Sequence, residues 1–180
     1  MDIARTVRQF AAFAVLGAVV WFGGALLVPP RWSVTRSRAI AAPTDRIQPY
    51  IADLAKWPTW NVFEREESAM EALVDVPGMN PGAHRSWTKS VFGPGEQTLV
   101  EAGWETGAVS ELHFDGRPLV RSTFTYETES GGVVRVVWTL SGETHGNTTA
   151  RWKSLLAGSA LGPRMQAALR ELQTAVMTRR

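Results

Sequence analysis

The chain has 180 residues, a formal net charge of +2 and no cysteine. The absence of cysteine excludes disulfide bonds, thiolate metal ligands, a cysteine nucleophile and a lipid attached to an N-terminal cysteine. The basic residues are scattered rather than clustered, so we predict no nucleic-acid partner.

The first predicted element is a run of 19 uncharged residues that begins at Phe10 and ends at Val28. As a helix it would be ~28 Å long, about the hydrocarbon thickness of a bilayer. A cleaved signal peptide has an apolar core of roughly 7–15 residues and a small-residue cleavage site. This run is longer and leads into Pro29-Pro30 without such a site. We therefore predict a single-pass anchor within residues 1–30, with a cleaved leader as the alternative.

The charges beside this run do not define its orientation in a membrane. Arg5 and Arg8 precede it, and Arg31, Arg36 and Arg38 follow it. Positive charge near the membrane therefore lies on both sides. A short N-terminal tail before a single span favours an extracytoplasmic domain, and we take that as the expectation.

Residues 31–180 are predicted to form one domain that starts with a strand and a helix. Residues 32–41 alternate, and the small side chains expected to point inward are Ser33, Ser37 and Ala39. A helix follows over about 42–54, with an apolar stripe. Pro49 removes one backbone hydrogen bond there and should kink or shorten this helix.

The rest of the domain reads as strands followed by one long helix. Strands are predicted over 69–76, 84–92, 97–105, 109–115, 119–128 and 133–143. Turn signals at Asp115-Gly116 and Gly131-Gly132 favour hairpins. A short amphipathic piece at 151–157 precedes a helix over 163–177, capped by Gly162. Its apolar residues recur every three or four positions, at Leu161, Met165, Ala168, Leu169, Leu172 and Val176. This order predicts an α+β layer fold.

Four of the strands separate uncharged residues from charged ones. One face carries no charge: Val100, Ala102, Trp104, Ser110, Leu112, Phe114, Val120, Ser122, Phe124, Tyr126, Val134, Val136, Trp138 and Leu140. The opposite face holds Glu101, Glu105, Glu111, His113, Arg121, Glu127 and Arg135. Side chains alternate across a strand, so the first face should meet the helix and the second should meet water. Acid–base catalysis needs titratable groups inside, and we predict no catalytic residue.

Signals for other chemistry are absent from the sequence. The three histidines have no paired spacing, and we predict no metal site. Residues 158–162 lack the G-x-S-x-G spacing of a nucleophile elbow. There is no phosphate-binding loop, and we predict no cofactor.

Several short motifs lie along residues 31–177. They are the run VTRSRAIAAP at 34–43, Ile47, Ala52-Asp53, Trp57-Pro58-Thr59-Trp60, Trp87, Gly95-Glu96-Gln97, Trp138, Leu161-Gly162 and Leu169-Arg170-Glu171-Leu172. As a set they resemble the START/Bet v 1-like (SRPBCC) superfamily, in particular its bacterial polyketide cyclase/dehydrase-like branch. Pro49 departs from the pattern, which has a helix former there. The resemblance implies a helix-grip fold, in which a curved antiparallel sheet wraps a C-terminal helix around an apolar cavity for lipids, sterols, polyketide-like or other hydrophobic molecules.

The expected cavity wall combines this fold with the uncharged strand face. We expect it to comprise Trp87, Val100, Trp104, Leu112, Phe114, Ser122, Phe124, Tyr126, Val136, Trp138, Met165 and Leu169. Trp57, Trp60 and Arg85 are expected at the rim. Ser122 and Tyr126 could donate hydrogen bonds to a ligand, or could be satisfied by protein neighbours. The two rim tryptophans could form a portal or enter the membrane interface, or could instead pack the helix on the sheet. Arg85 could hold an acidic head group of a ligand, or could be a rim or surface residue.

The sequence therefore predicts a membrane-anchored domain that binds a hydrophobic small molecule or lipid without covalent chemistry. The alternative is a cyclase or dehydratase acting on a polyketide-like substrate, which a buried ionisable group in the cavity would favour. A third reading is a protein-interaction module whose cavity is filled by its own side chains.

Overall fold

A computed structural model of the chain describes residues 3–65, 70–90, 92–115, 117, 119–144 and 148–178. The elements, in chain order, are α1 (Ile3–Leu27), β1 (Arg31–Ile40), α2 (Thr44–Ala52), a 3₁₀ helix (Leu54–Thr59), α3 (Val62–Arg65), β2 (Ala72–Val76), β3 (His84–Trp87), β4 (Gly95–Gly103), β5 (Gly107–Phe114), β6 (Val120–Thr128), a 3₁₀ turn (Ser130–Gly132), β7 (Val134–Glu143), α4 (Thr148–Ser154) and α5 (Ala157–Thr178). The predicted turn at 115–116 lies partly outside the described residues, because Gly116 is not among them.

The seven strands form one antiparallel sheet in the order β1-β7-β6-β5-β4-β3-β2. The first strand pairs with the last, so that Arg31 lies opposite Glu143 and Ile40 lies opposite Val134. The sheet curves around α5, which confirms the predicted α+β helix-grip architecture. The inward faces of β5, β6 and β7 follow the predicted alternation, with buried Ser110, Ser122, Phe124, Val134, Val136, Trp138 and Leu140.

Helix α5 buries the stripe of residues that its sequence pattern predicts. Met165, Ala168, Leu169, Leu172 and Val176 are all buried. The helix begins at Ala157, six residues earlier than predicted, so Gly162 is a residue of the helix and not its cap. A Cβ at Gly162 would lie 2.1 Å from Nη2 of Arg36. This glycine therefore leaves room for the Arg36 guanidinium of β1 against α5.

The face of β1 that points inward is the reverse of the predicted one. Val34 and Ile40 are buried, whereas Ser33 is exposed. The same inward face carries Arg36 and Arg38, and Arg38 Nε donates to Gln173 Oε1 of α5 at 2.6 Å. Because β1 is an edge strand, its arginines can pack their stems against α5 and still keep their charged ends at the border.

Strand β4 contains a bulge that shifts its phase. Pairing with β5 passes from Leu99 opposite Ser110 to Glu101 opposite Val109, so Val100 is the extra residue. Before the bulge, Gln97 and Leu99 point inward and are fully buried. The expected inward position of Val100 is therefore wrong, because uniform alternation cannot anticipate an added residue. Trp104 lies beyond the strand and is 50% exposed.

Helix α2 is short, as Pro49 predicts, and two tryptophans hold its C-terminal end. It stops at Ala52 and is followed by the 3₁₀ helix. Trp57 Nε1 donates to the Ile51 carbonyl at 2.8 Å, and Trp60 Nε1 donates to the Tyr50 carbonyl at 2.8 Å. These bonds satisfy carbonyls that the end of a helix leaves without partners. They also fix both indole rings beneath the sheet.

Helix α1 lies mostly outside the packed domain. Among the described residues, Arg8–Leu27 is the one helical stretch long and apolar enough to cross a membrane, and a signal sequence has the same features. Its last turn meets the domain: Ala25 in that turn and Val28 just after the helix are buried. The Pro30 carbonyl then accepts hydrogen bonds from Thr144 N at 2.7 Å and from Thr144 Oγ1 at 3.0 Å.

Candidate ligand-binding cavity

A cavity of about 860 Å³ lies between the sheet, α3 and the start of α5. This volume is within the range of roughly 300–1,000 Å³ that small-molecule sites occupy. Its wall is formed mainly by aromatic and aliphatic side chains: Trp32, Trp57, Phe63, Met70, Trp87, Phe92, Leu112, Phe114, Leu119, Val120, Trp138, Leu140, Ala150 and Leu161. The polar and charged members are Asn61, Glu64, Arg85, Ser90, Arg117, Ser122, Glu143 and Thr144.

The cavity occupies the end of the sheet that is nearest to α1. Trp32 of β1 lies opposite Gly142 of β7, and Val120 of β6 also lies opposite Gly142. At the other end of the same strands, Ile40, Val134 and Val136 are packed into a solid core. One half of the domain is therefore filled and the other half is open.

The predicted wall residues divide between these two halves. Trp87, Leu112, Phe114, Ser122 and Trp138 line the cavity. Phe124, Val136, Met165 and Leu169 are instead buried in the solid core, and Val100, Trp104 and Tyr126 also lie outside the wall. The expectation placed the cavity along the middle of α5. The aromatic rings of Trp60, Phe124 and Trp138, with centroids 5.0–6.1 Å apart, fill that space.

The three residues expected at the rim lie deeper than predicted. Trp57 and Arg85 line the cavity wall while being almost fully buried, and Trp60 is fully buried in the core. The reason is that the 3₁₀ helix packs inside the curve of the sheet and not across its mouth. This matches the helix-to-sheet packing that the sequence left open for the two tryptophans.

The two predicted hydrogen-bond donors have protein partners. Ser122 Oγ accepts from Trp138 Nε1 at 2.9 Å. The Tyr126 hydroxyl donates to Gln48 Oε1, and Gln48 Nε2 donates to the Gly107 carbonyl at 3.2 Å. Burial raises the pKa of Tyr126. Both hydroxyls thus belong to internal networks, although Ser122 also faces the cavity.

A buried ion pair forms one charged part of the wall. Arg85 of β3 donates from Nη2 to Glu64 Oε1 at 2.8 Å and from Nη1 to Glu64 Oε2 at 3.0 Å. The exposed fractions of the two side chains are 2% and 5%. Asn61 Nδ2 also donates to Glu64 Oε1 at 3.0 Å. The carboxylate therefore accepts three hydrogen bonds, and the two charges cancel where they meet the cavity.

Aromatic rings and a glutamine hold the guanidinium in place. Its carbon lies 4.8 Å from the ring centroid of Trp57 and 5.7 Å from that of Trp87. Arg85 Nε donates to Gln97 Oε1 at 2.9 Å. Among the described residues, Gln97 Nε2 and Trp87 Nε1 are buried without a hydrogen-bond partner. Several contacts therefore hold the guanidinium in position, while these two buried N–H groups are left unsatisfied.

Sequence reasoning did not identify Glu64, although a signal for it exists. Asn61 precedes α3, its Oδ1 accepts from Phe63 N at 3.2 Å, and Glu64 stands three residues after it. An asparagine followed three positions later by glutamate is the pattern of a helix N-terminus. That pattern predicts a short helix at 62–65, whereas charge alone marks this stretch only as a polar patch.

Among the described residues, no three His, Cys, Asp or Glu side chains group closely enough to hold a metal ion. The site is thus a mainly aromatic cavity whose wall contains one internally neutralised ion pair, together with the charged residues Arg117 and Glu143. A curved antiparallel sheet that wraps a long helix beside such a cavity defines the class of helix-grip proteins.

Residues 31–177 match the family described as "Polyketide cyclase / dehydrase and lipid transport", and the chain belongs to this family within the SRPBCC superfamily. Membership supports binding of hydrophobic ligands as the general role. The comparison with curated proteins finds no match to this chain.

Solved structures with the same fold come from distant proteins. The hypothetical protein jhp0584 from Helicobacter pylori is 11% identical over 80% of this chain and 87% of its own, with a TM-score of 0.61. The protein TTHA0849 from Thermus thermophilus is 18% identical over 81% and 97%, with a TM-score of 0.58. Ara h 8.0201 is 10% identical over 82% and 99%, with a TM-score of 0.56. These likenesses establish the Bet v 1-like fold and nothing finer.

Proposed function

We propose that residues 31–180 form a domain that holds a hydrophobic small molecule or lipid non-covalently in the aromatic cavity. The observation that carries this proposal is the cavity of about 860 Å³, whose wall is mainly aromatic and aliphatic and whose buried charges, Arg85 and Glu64, pair with each other. An apolar ligand gains free energy by leaving water for such a wall, at roughly 25 cal/mol per Å² of apolar surface buried. The protein-interaction reading requires a filled interior, and the open volume argues against it.

Beside the Arg85–Glu64 ion pair, the wall favours a neutral or weakly polar group of the ligand over an anionic one. Glu64 takes up both ends of the Arg85 guanidinium fork, so a ligand carboxylate would have to displace it. Displacement would leave Glu64 buried without its partner, and that is costly. We therefore expect the part of the ligand that lies beside this pair to be an ester, alcohol or hydrocarbon group and not a carboxylate.

We also propose that α1 stays attached and anchors this domain in a membrane, with residues 1–30 as the anchor and the domain on the extracytoplasmic side. The exposed fractions of Phe10, Phe13 and Leu27 in α1 are 72%, 73% and 86%. Apolar surface of this extent needs a cover, and lipid supplies it. A tag at the N-terminus that is released into the soluble fraction would contradict retention of the anchor.

A cyclase or dehydratase is the second candidate, and the ionisable groups in the wall favour it. A general base must reach a substrate proton with a free lone pair. Glu64 accepts bonds from Arg85 and Asn61, which occupy most of its capacity, so binding remains the better-supported function. Glu64→Gln separates the two: a catalytic glutamate would lose turnover with ligand binding retained, whereas a structural one would change only stability.

Native mass spectrometry of residues 31–180, purified from cells without detergent, tests the binding function. We expect a population that carries one apolar molecule, and the mass difference identifies it. A domain that is folded yet always empty, and that takes up neither a fluorescent fatty ester nor a fluorescent fatty acid, would contradict the proposal.

A further inference from the structure

Helix α4 connects the cavity to α1. Trp152 of α4 stacks on Trp21 of α1, with ring centroids 5.9 Å apart and planes at 27°. Trp152 Nε1 donates to the Trp21 carbonyl at 3.1 Å, and Arg151 Nη1 donates to the Ala25 carbonyl at 3.2 Å. Ala150, one residue earlier, lines the cavity. One short helix thus touches both the apolar helix and the ligand site.

A glycine in α1 makes this contact possible. A Cβ at Gly24 would lie 3.0 Å from Cζ2 and 3.2 Å from Cη2 of Trp152. Contacts of that length are too tight for carbon atoms, so the indole lies directly against the backbone of α1. The α1–α4 contact is therefore a packed interface.

The length of α1 determines the depth at which this interface lies. The apolar run from Phe10 to Val28 would be ~28 Å long, which is barely the thickness of the hydrocarbon layer. The whole run must therefore lie within that layer if the helix is to cross it. Trp21 is six residues before the end of α1 at Leu27, which is ~9 Å along the helix axis. A helix that packs on Trp21, Gly24 and Ala25 is then drawn to the level of the lipid headgroups or just below them.

The residues that follow α4 expose apolar side chains, as expected for a segment at the level of the lipid headgroups. The exposed fractions of Leu155 and Leu156 are 59% and 63%, although both belong to the turn that joins α4 to α5. Lys153 in the last turn of α4 is also exposed. Exposed leucines, a tryptophan and flanking basic residues are the composition of a segment that lies in the membrane interface.

We propose that α4 and the Leu155–Leu156 turn form a lipid-contacting surface that holds the α1-side end of the cavity against one leaflet. The partner is the bilayer itself. This inference depends on the proposed membrane anchor, because α1 sets the depth. It goes further in assigning a second, peripheral contact to a segment outside the span.

The test uses the full-length chain, whose lack of cysteine allows single-cysteine labelling. Leu156→Cys carries an environment-sensitive fluorophore on the proposed surface. Phe13→Cys reports on the anchor, and Ser130→Cys is the aqueous control. Ser130 is exposed and follows β6 at the far end of the sheet, about 30 Å away along the strands. Each labelled protein is reconstituted into vesicles of phosphatidylcholine and phosphatidylglycerol containing lipids that carry a doxyl quencher either near the headgroup or near the chain end.

We expect the probe at position 156 to lose most of its fluorescence to the headgroup-proximal quencher and less to the deep one. The probe at 13 should be quenched from within the bilayer, and the probe at 130 should be unaffected. Quenching at 13 without quenching at 156 overturns the lipid-contacting surface and leaves the anchor intact. Absence of quenching at 13 overturns the anchor and this inference with it. Equal quenching at 156 and 130 also overturns the inference, because it reports non-specific adsorption.

Discussion

Arg85 and Glu64 form a bidentate ion pair within the cavity wall, with N···O distances of 2.8 and 3.0 Å. They lie 21 positions apart in the chain, in strand β3 and in the four-residue helix α3. Their contact fixes α3 against the sheet and so helps to keep the cavity open.

Removing one partner of the pair should be far more damaging than removing both. Glu64→Ala leaves a buried guanidinium without its carboxylate, and we expect a loss of about 3–5 kcal/mol in the free energy of unfolding. The double variant Glu64→Leu/Arg85→Met should recover most of that loss, because no charge stays buried. Urea unfolding of the soluble domain measures both.

The exposed cross-strand pair Glu111 and Arg121 is the matched control for this experiment. Its atoms are 3.2 Å apart, but the side chains are 29% and 51% exposed. Glu111→Ala should cost less than ~1 kcal/mol, as surface pairs do. Equal costs for the buried and exposed pairs would mean that the Arg85 pair does not fasten the fold.

Because Ser122 lines the cavity, we predict that a larger side chain at this position blocks ligand binding. Ser122→Trp places a large ring into open space, so we expect ligand binding to be lost at a cost of about 1–3 kcal/mol or less. Part of that cost is the hydrogen bond that Trp138 Nε1 donates to Ser122 Oγ. Thr125→Trp, on the same strand but exposed, is the control and should bind normally. Thermal melting and binding of a fluorescent fatty ester distinguish an open cavity from a solid core. In a solid core, Ser122→Trp would unfold the domain.

We predict that the buried Tyr126 makes the folded domain less stable in alkali. Burial raises its pKa above the ordinary value of 10.0, so the unfolded chain releases this proton first. The contribution of Tyr126 is therefore complete below pH ~10 and decreases as the pH rises further, by at most ~1.4 kcal/mol per pH unit. Unfolding measured between neutral and strongly alkaline pH should show this decline, and Tyr126→Phe should flatten it. If the stability of the Tyr126→Phe variant declines equally in alkali, the decline is caused by other titratable groups and not by Tyr126.

Two glycines with positive φ should tolerate alanine very differently. Gly107 has φ 95°, and a Cβ there would lie 2.0 Å from the Phe124 carbonyl oxygen. Gly131 has φ 78° with no atom within 4 Å of such a Cβ. Gly131→Ala should cost about 1–2 kcal/mol, the strain of the left-handed conformation. Gly107→Ala should cost distinctly more, because β5 must move away from β6; similar values for both would contradict the close approach.

The domain should fold without α1, and its exact start should matter. A fragment of residues 31–180 lacks the Pro30 carbonyl that Thr144 contacts twice. A fragment of residues 29–180 keeps it and should be more stable by about 1 kcal/mol, the net value of a typical hydrogen bond. Thr144→Val removes the hydroxyl donor and should narrow that difference. Aggregation of both fragments would show that α1 is needed for folding.

The alternation of polar and apolar residues was sufficient to predict β5, β6 and β7, because these strands are regular and central in the sheet. It failed at β1, where the edge position lets Arg36 and Arg38 point towards α5. It also failed at β4, where Val100 is an inserted residue that no period of two can reveal. In both cases the missing information is how a strand meets its neighbours.

The location of the cavity was less predictable than the fold. It depends on which large rings fill the space under the sheet, and Trp60, Phe124 and Trp138 fill one half completely. It depends equally on α3, whose Glu64 meets Arg85 only after the chain has folded. Sequence periodicity describes each element alone, whereas a void is a property of several elements together.

The short connection between α1 and β1 limits where the domain can act. Only Val28, Pro29 and Pro30 separate the two elements, and three residues span at most ~10 Å. Pro30 is also hydrogen-bonded to Thr144, so the connection has little freedom to swing. If α1 spans a bilayer, this domain can exchange its ligand only with the membrane that holds it. Delivery to a second membrane would require a separate carrier that comes to the cavity.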